Sequence, residues 1–488
     1  MADPRRGTAT IALVAALLTA ACSGDDLNQR DQLSPGDAAA RTATDGGPQN
    51  DGSQQPSRAT NEGPSHLDDL DATYLFDQSK LHTFELTLTE ENLAHLDDDP
   101  TAEEYVEGTL TFEGVTLPVG IRYKGSVGAF VGCVDGPQLF EPSGAKTCPK
   151  LSMKVKINWE RPDDEFLGVR KLQFHAMNLD PSHMRERLGY WLMREMGVAA
   201  PRSTHARLIV NGEFVGLFAL TENIDGRFTR ANFDDGTGNL YKEVWPFTED
   251  GEVTDERVFI AGLRTNERDP NTNALIIRRF ATELLAADDP AEVVRDWMDV
   301  EALMNQLAVD RTIRHDDGPF HWYCNLGAGA GLSEGGCGNH NFFFYENPST
   351  GQITMVPWDL DNAFANILQA DNPVTPIPDG LGAVSFDCAP FAYGAFGLRQ
   401  RSASCDPLFA TWAMFDEEYA AAVQRLHDGP LRADVTDPLL DEWSTQIEAA
   451  IREASATHGA DALSVPIWRW AIDDLRNALE HARANPVG

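Results

Sequence analysis

Apolar positions recur with a period of two through the first part of the chain beyond residue 74, and with helical spacing through most of the second. "HTFELTL" (82–88) sets Phe84, Leu86 and Leu88 on one side and polar residues on the other, as in a strand with one buried face. "GTLTFEGVTLPVGIRYKGS" (108–126) reads as two strands about a Gly turn, and "KLSMKVKINW" (150–159) and "KLQFHAM" (171–177) as two more. "ARLIVNGEFVGLFAL" (206–220) is a hairpin, because Asn211-Gly212 suits the two positive-φ positions of a type I′ turn. One helix interrupts the strands. Asp180 is its predicted N-cap and Pro181 lies in its first turn. Met184, Leu188 and Leu192 form one face, and Gly197 then Pro201 end it. "TENIDGRF" (221–228) leads out as a connector.

After about residue 240 the spacing becomes helical in "DPAEVVRDWMDVEALMNQLAVDRTIRH" (289–315), in "TDPLLDEWSTQIEAAIREA" (436–454) and in the closing "WRWAIDDLRNALEHA" (468–482). Leu440, Trp443, Ile447 and Ile451 line one face of the second of these. Inside this helical part sits one predicted hairpin, "NHNFFFYENPSTGQITM" (339–355), which runs into "VPWDLDNAF" (356–364). A hydrophobic run thus ends in two acids, Asp359 and Asp361. Solvated turn acids are one reading, and oxygen ligands for a hard cation are the other.

Composition narrows the class. The 488 residues allow two or three lobes at about 150 residues per domain. A net charge of −37 argues against a nucleic-acid partner, whose phosphates such a surface repels. The start is a signal peptide (1–22): Arg5 and Arg6, an apolar stretch from Ile11 to Leu18, then small residues up to Cys22. The stretch is too short for a stable membrane span. A cysteine after small residues resembles a bacterial lipobox, although Thr19 stands where Leu is more usual. Lipidation of Cys22 is therefore expected, with plain secretion as the alternative. Residues 23–66 are Gly, Pro, Ser, Asn, Gln and Asp with little to bury, a disordered tether.

Export changes how the cysteines read. Setting Cys22 aside leaves three sequence-local pairs, Cys133 with Cys148, Cys324 with Cys337 and Cys388 with Cys405. An oxidising compartment favours disulfides in that pattern, and no C-x-x-C suggests zinc instead. No H-E-x-x-H occurs among the twelve histidines, and "GAVSFDCAPFAYG" (382–394) holds no Gly-x-Ser-x-Gly elbow.

Strands, a helix, a hairpin, a connector and a helical part follow one another as in a protein-kinase fold. That chemistry needs a carboxylate near the nucleophile, a cation on the phosphates and metal held by hard oxygens. "VGIRYKGS" with "KLSMKVKI", "MRERLGYWLMREMGV", "NGEFVGLFALTENID", "NLYKE", "RHDDG" followed by "NHNFFFY", and "VPWDLDNAF" together resemble the spore coat protein H (CotH) family of atypical secreted kinases, over roughly 74–430. The resemblance implies an α+β, atypical protein kinase-like bilobal fold: a β-rich N-lobe with one helix (67–225), a mostly helical C-lobe (226–430) and a C-terminal helical extension (431–488). The usual kinase Gly-rich signature is absent, and "GTGNLYKE" (236–243) does not supply it.

Residue by residue, the resemblance implies Asp317 as the catalytic acid, with Asp316 as second choice. It implies Asn341 and Asp359 as metal ligands, with Asp361 assisting. Lys124 is the expected phosphate-binding cation, with Lys150 or Lys154 as the kinase-type lysine and Glu186 as its ion-pair partner. Glu222 and Lys242 are expected near the nucleotide. One departure stands out: "PFHWYCNLGAGAGLSEGGCG" separates Asp317 from Asn341, where about five residues are usual. A Cys324–Cys337 bridge would loop this insert out, and its Phe320, His321, Trp322 and Tyr323 read either as a lid or substrate rim or as loop packing. The function implied is an exported kinase that uses ATP and Mg²⁺ (Mn²⁺ or Ca²⁺ as alternatives) on Ser or Thr hydroxyls of surface or secreted proteins. Its membrane contact would be a lipid anchor at Cys22, on a bacterial membrane or cell surface. The alternatives are a catalytically silent scaffold and a calcium-stabilised adhesion protein with the same fold.

Overall fold

The computed structural model describes residues 67, 69–130, 132–137, 142–315, 317–324, 336–364, 388–393 and 398–486. The expected strands form, and they close on themselves. Strands β1 (His82–Thr87), β2 (Val106–Phe112), β3 (Val115–Tyr123), β4 (Met153–Lys156), β5 (Lys171–His175), β6 (Ser203–Val210) and β7 (Glu213–Thr221) make a barrel in the order β1-β2-β3-β4-β5-β7-β6. The pairing that completes it is parallel, His82 with Ala206 through Leu86 with Val210. Closure leaves no unpaired strand edge. Phe84 stacks on Phe112 at 4.6 Å and meets Phe174 edge-on at 5.2 Å, so aromatic side chains fill the interior. Glu113-Gly114 (φ 48° and 83°) and Asn211-Gly212 (φ 51° and 81°) turn the two tight hairpins in the left-handed region that Gly and Asn tolerate.

Two expectations about helices need correction. The first concerns the helix after β5, which runs Arg185–Glu195 and begins later than the sequence signals suggest. His183 at φ 58° breaks helical geometry after Pro181. Asp180 still caps, but from a loop: its carboxylate accepts from the Ser182 N–H and the Arg185 N–H, both at 2.9 Å. The second is that this is not the sole helix among the barrel strands. Glu90–Asp98 is a helix too, with the Thr89 hydroxyl accepting from the Asn92 N–H and Glu90 and Glu91 in its first turn.

Helical residues dominate the second half, as expected. Val300–Thr312, Asp416–Asp428, Ala433–His458 and Val465–Ala484 are the longest helices. Leu440, Trp443, Ile447 and Ile451 are buried with Leu188 and Leu192 of the Arg185–Glu195 helix in one core. β8 (Leu240–Lys242), β11 (Phe342–Glu346) and β12 (Ile353–Pro357) form a three-stranded sheet in the order β12-β11-β8. β9 (Trp322–Cys324), β10 (Cys337–Gly338), β13 (Phe391–Tyr393) and β14 (Leu398–Arg401) form a second sheet. All three expected disulfides are present, Cys133–Cys148, Cys324–Cys337 and Cys388–Cys405. Mixed α+β architecture is thereby established.

Arg187 ties these parts together. Its buried guanidinium donates to Gln78 and to Gln446, lies 2.7 Å from His205 Nδ1, and sits 4.1 Å from the Trp443 ring centroid. It joins the barrel, its own helix and the Ala433–His458 helix. Its neighbour Glu186 is therefore carried on a helix fixed from both sides.

Candidate active site

The base of the β11–β12 hairpin is where the chemistry gathers. Beyond the last ladder pair, Phe342 with Pro357, the Trp358 N–H donates to the Asn341 carbonyl at 3.1 Å. Asn341 and Asp359 both adopt left-handed backbone, at φ 62° and 54°. Asn and Asp are the non-glycine residues that enter that region most readily. The Asp359 backbone is pinned twice: its N–H donates to Tyr190 Oη at 3.0 Å, and its carbonyl accepts from His315 Nε2 at 2.8 Å. His315 Nδ1 reaches Asp310 Oδ2 at 3.0 Å. Both ring nitrogens thus face acceptors. Burial opposes the charged imidazolium, yet Asp310 outweighs it and holds the His315 pKa above its ordinary value. Leu360 then packs against Gly189, where a Cβ would come within 2.9 Å of the Leu360 side chain. Only glycine lets the helix approach this turn so closely.

Asp317 meets Asn341 across the insert. Asn341 Nδ2 donates to the Asp317 carbonyl and to Asp317 Oδ2, each at 2.9 Å, although 24 positions separate the two residues. The Cys324–Cys337 bridge, on paired strands β9 and β10, closes the excursion between them. His340 Nε2 makes a short hydrogen bond to Asp317 Oδ1, and the Asn341 N–H donates to Glu243 Oε1 at 3.0 Å. Burial pushes the His340 pKa down, but Asp317 and then Glu243 and Asp359 bring it above its ordinary value.

The barrel contributes a third group. Lys124, just past β3, places Nζ 2.8 Å from His175 Nε2 and 5.4 Å from the Trp358 ring centroid. His175 Nδ1 lies 2.7 Å from Glu186 Oε1 and 2.9 Å from Oε2. Thr221 donates its hydroxyl to the same Glu186 carboxylate at 2.9 Å. Burial works against the Glu186 charge. His175, Thr221 and Lys124 more than offset it, and the pKa ends below the ordinary carboxylate value.

Acidic charge is in excess at the hairpin end. Asp359 has its pKa raised by burial, lowered by His175 and Lys124, and raised again by Glu186 and Asp317. Asp361 is pushed well above its ordinary value by burial, then by Asp359, Glu186 and Asp317. Partly buried carboxylates that repel one another are what a hard cation relieves. Asn341 has its amide nitrogen on Asp317, which leaves Oδ1 as the atom to offer a cation. The donor set of Asp359, Asp361 and Asn341 Oδ1 fits a hard divalent ion by chemistry, although among the described residues no three His, Cys, Asp or Glu side chains stand ready as a metal cluster.

Other expected residues lie elsewhere. Lys150 donates to the Leu217 carbonyl at 2.7 Å, and burial lowers its pKa to about 7. Glu222 is taken up by Arg202 in a two-pronged pair at 2.9 and 2.6 Å. Neither bonds to the cluster above. Lys154 stands between Arg122 and Gln173 on adjacent strands, and Lys242 opposite Phe343. Asp316, Cys22 and the rest of residues 1–66 fall outside the described residues. Phe320, His321, Trp322 and Tyr323 are all buried, and Trp322 packs edge-on against Trp245 at 5.7 Å. Core packing is therefore the reading that holds for them, because four buried side chains offer no rim.

His175, His340, His315, Glu243 and Tyr190 were not singled out from the sequence. All but His175 nevertheless lie inside stretches that carry the family resemblance, "RHDDG", "NHNFFFY", "NLYKE" and "MRERLGYWLMREMGV". The family model described as CotH kinase protein matches residues 121–460, from within β3 past the end of the Ala433–His458 helix. The chain belongs to the CotH family. Inner spore coat protein H of Bacillus subtilis is 22% identical over 295 residues, covering 58% of this chain and 69% of that protein. Invasin CotH7 of Rhizopus delemar is 22% identical over 232 residues, 46% of this chain and 37% of the invasin. An inner spore coat protein H-like protein of Bacillus subtilis is 37% identical over 68 residues, 14% of this chain and 21% of that protein. The chain thus spans well under two thirds of two of these three relatives. Membership of a CotH kinase family points to kinase-like function and, in general terms, to use of ATP and a divalent metal.

Proposed function

We propose that this chain is an exported phosphotransferase that moves the ATP γ-phosphoryl group to Ser or Thr hydroxyls of surface or secreted proteins. The observation that carries the reading is the meeting of Asp317 and Asn341, 24 positions apart, beside the acids that end the hairpin. In this reading 67–225 and 226–430 act as the two lobes around the nucleotide, and 431–488 braces them. The signal peptide directs export and a lipid on Cys22 anchors the chain to a bacterial membrane or cell surface. The spore-coat and invasin names of relatives support a surface location.

Asp317 receives the hydroxyl proton as the new oxygen–phosphorus bond forms and the bond to ADP breaks, and His340 and Asn341 hold its carboxylate in register. Lys124 carries positive charge to the phosphates. Asp359, with Asp361 and Asn341 Oδ1, would hold Mg²⁺, with Mn²⁺ as an alternative. Such an ion, when bound, neutralises charge on the β- and γ-phosphates. Positioning and charge neutralisation, rather than covalent chemistry, supply the rate.

Thermal unfolding of the purified chain with ATP plus Mg²⁺, ATP plus EDTA, and Ca²⁺ alone tests this. Stabilisation by ATP that needs Mg²⁺ and disappears in Asp359→Asn supports the reading, and labelled-phosphate transfer then completes it. A second reading, a silent surface-binding protein, draws on the Asp317 carboxylate, which His340 and Asn341 already occupy. No response to millimolar ATP would favour that alternative, and stabilisation by Ca²⁺ alone a calcium-stabilised adhesion protein.

A further inference from the structure

In a protein kinase the phosphate-binding lysine is paired with a glutamate on a helix of the N-lobe. Here an imidazole stands between the two residues that would fill those places. Lys124 Nζ is 2.8 Å from His175 Nε2, and His175 Nδ1 is 2.7 Å from Glu186 Oε1.

Donor and acceptor identities follow from the partners. Glu186 is a carboxylate that also accepts from Thr221, so it takes the proton on His175 Nδ1. An ammonium has donors only, so Nε2 must offer its lone pair to Lys124. The ring is also fixed in orientation, because it meets Trp358 edge-on at 5.8 Å, and the Lys124 ammonium lies over that same indole. β5 supplies His175, the Arg185–Glu195 helix supplies Glu186, and Trp358 belongs to the hairpin base.

We propose that His175 is a positioning residue: an imidazole relay that links Lys124 to Glu186 and holds the Lys124 ammonium over Trp358, toward Asp359. The proposal rests on the reading of Lys124 as the phosphate cation, and it deepens that reading by assigning what aims the lysine. His175 touches neither phosphate nor hydroxyl in this assignment.

The test compares His175→Met, of similar bulk without polar atoms, with His175→Gln, whose amide can still donate to Glu186 and accept from Lys124. Both variants are first shown to unfold cooperatively near the wild-type temperature. Lys124 is then labelled with trace acetic anhydride in the nucleotide-free full chain, and its acetylation rate is read by mass spectrometry against Lys80, an internal standard that lies over the Tyr74 ring and outside this cluster. The relay predicts a several-fold change in Lys124 labelling in His175→Met and a near wild-type rate in His175→Gln. Equal labelling of Lys124 in wild type and His175→Met overturns it. With ATP and Mg²⁺, His175→Met should raise the KM for ATP roughly 10- to 100-fold, as expected for a lost charge-assisted hydrogen bond, with a smaller change in kcat. His175→Gln should restore most of that loss. A kcat loss with unchanged KM in both variants would also overturn the proposal. If the wild type ignores ATP while Lys124 labelling still depends on residue 175, the relay stands and the kinase reading falls.

Discussion

The barrel side and the hairpin base solve opposite electrostatic problems. On the barrel side Lys124, His175, Glu186 and Thr221 alternate in a chain where each donor meets an acceptor and the charges cancel. At the hairpin base Asp359 and Asp361 crowd together, and Arg185 offers the Asp361 side only weak relief by Coulomb attraction. One region is complete as it stands. The other crowds acidic groups together, as the proposed cation site would need. The paired region is thus built for stability and aim, the crowded one for binding.

The largest effect expected from breaking this contrast is Asp359→Asn. Phosphate transfer should fall by about a thousandfold or more, as for loss of a charge that acts on the transition state. The metal-free variant should nevertheless melt higher than wild type, because one of two repelling, partly buried carboxylates is gone. Lower melting together with intact transfer would reverse the roles assigned to the two regions. Second, Cys324→Ser with Cys337→Ser should cost about 2–4 kcal/mol, since the bridge closes a segment with a sequence separation of 13. Chemical denaturation measures it, and transfer should fall with it as Asn341 loosens from Asp317. Third, Glu186→Gln should destabilise by roughly 1–3 kcal/mol, because it weakens a buried acceptor shared by His175 and Thr221.

The last expected effect is the pH response. Asp359 and Asp361 have raised folded-state values, so their stabilising contribution is present at low pH and is lost as pH rises through those values. Glu346, raised by burial from 4.5 to about 7, and Asp406, raised by burial from 3.8 to about 7, act in the same direction. Melting temperature of the metal-free protein should therefore decline between about pH 4.5 and 7 from these groups. Mg²⁺ should flatten the part that belongs to the hairpin acids, and Glu346→Gln with Asp406→Asn the remainder. A slope that neither change alters would show that these acids titrate as exposed ones do.

Local patterning carried most strands, the second-half helices, the disulfides and the hairpin acids, because each is written in a few consecutive residues. Barrel closure was not legible: the parallel β1–β6 register couples residues far apart, and alternation alone says which face is buried, not which strand is the neighbour. Asp180-Pro181 imitates a helix start, and only the left-handed His183 reveals the loop. His175 escaped notice because "KLQFHAM" reads as an alternating strand, and its partners come from a loop and a helix. His340 and Glu243 reach their partners only through the hairpin and the looped-out insert. Aromatics in the insert left both readings open, since "FHWY" is equally the composition of a rim and of a core.

Closure of the barrel also sets an order of events for the emerging chain. Whether it leaves a ribosome or a translocation pore, His82–Thr87 appears first, yet its partner Ser203–Val210 arrives only after β2 to β5 and the Arg185–Glu195 helix have passed. A strand rich in Phe and Leu must wait with one edge open through that interval, when strand edges are most prone to pair with the wrong chain. The first strand must be kept from wrong pairing until the sixth is delivered, and the rate of delivery, more than final stability, should govern the yield of folded protein.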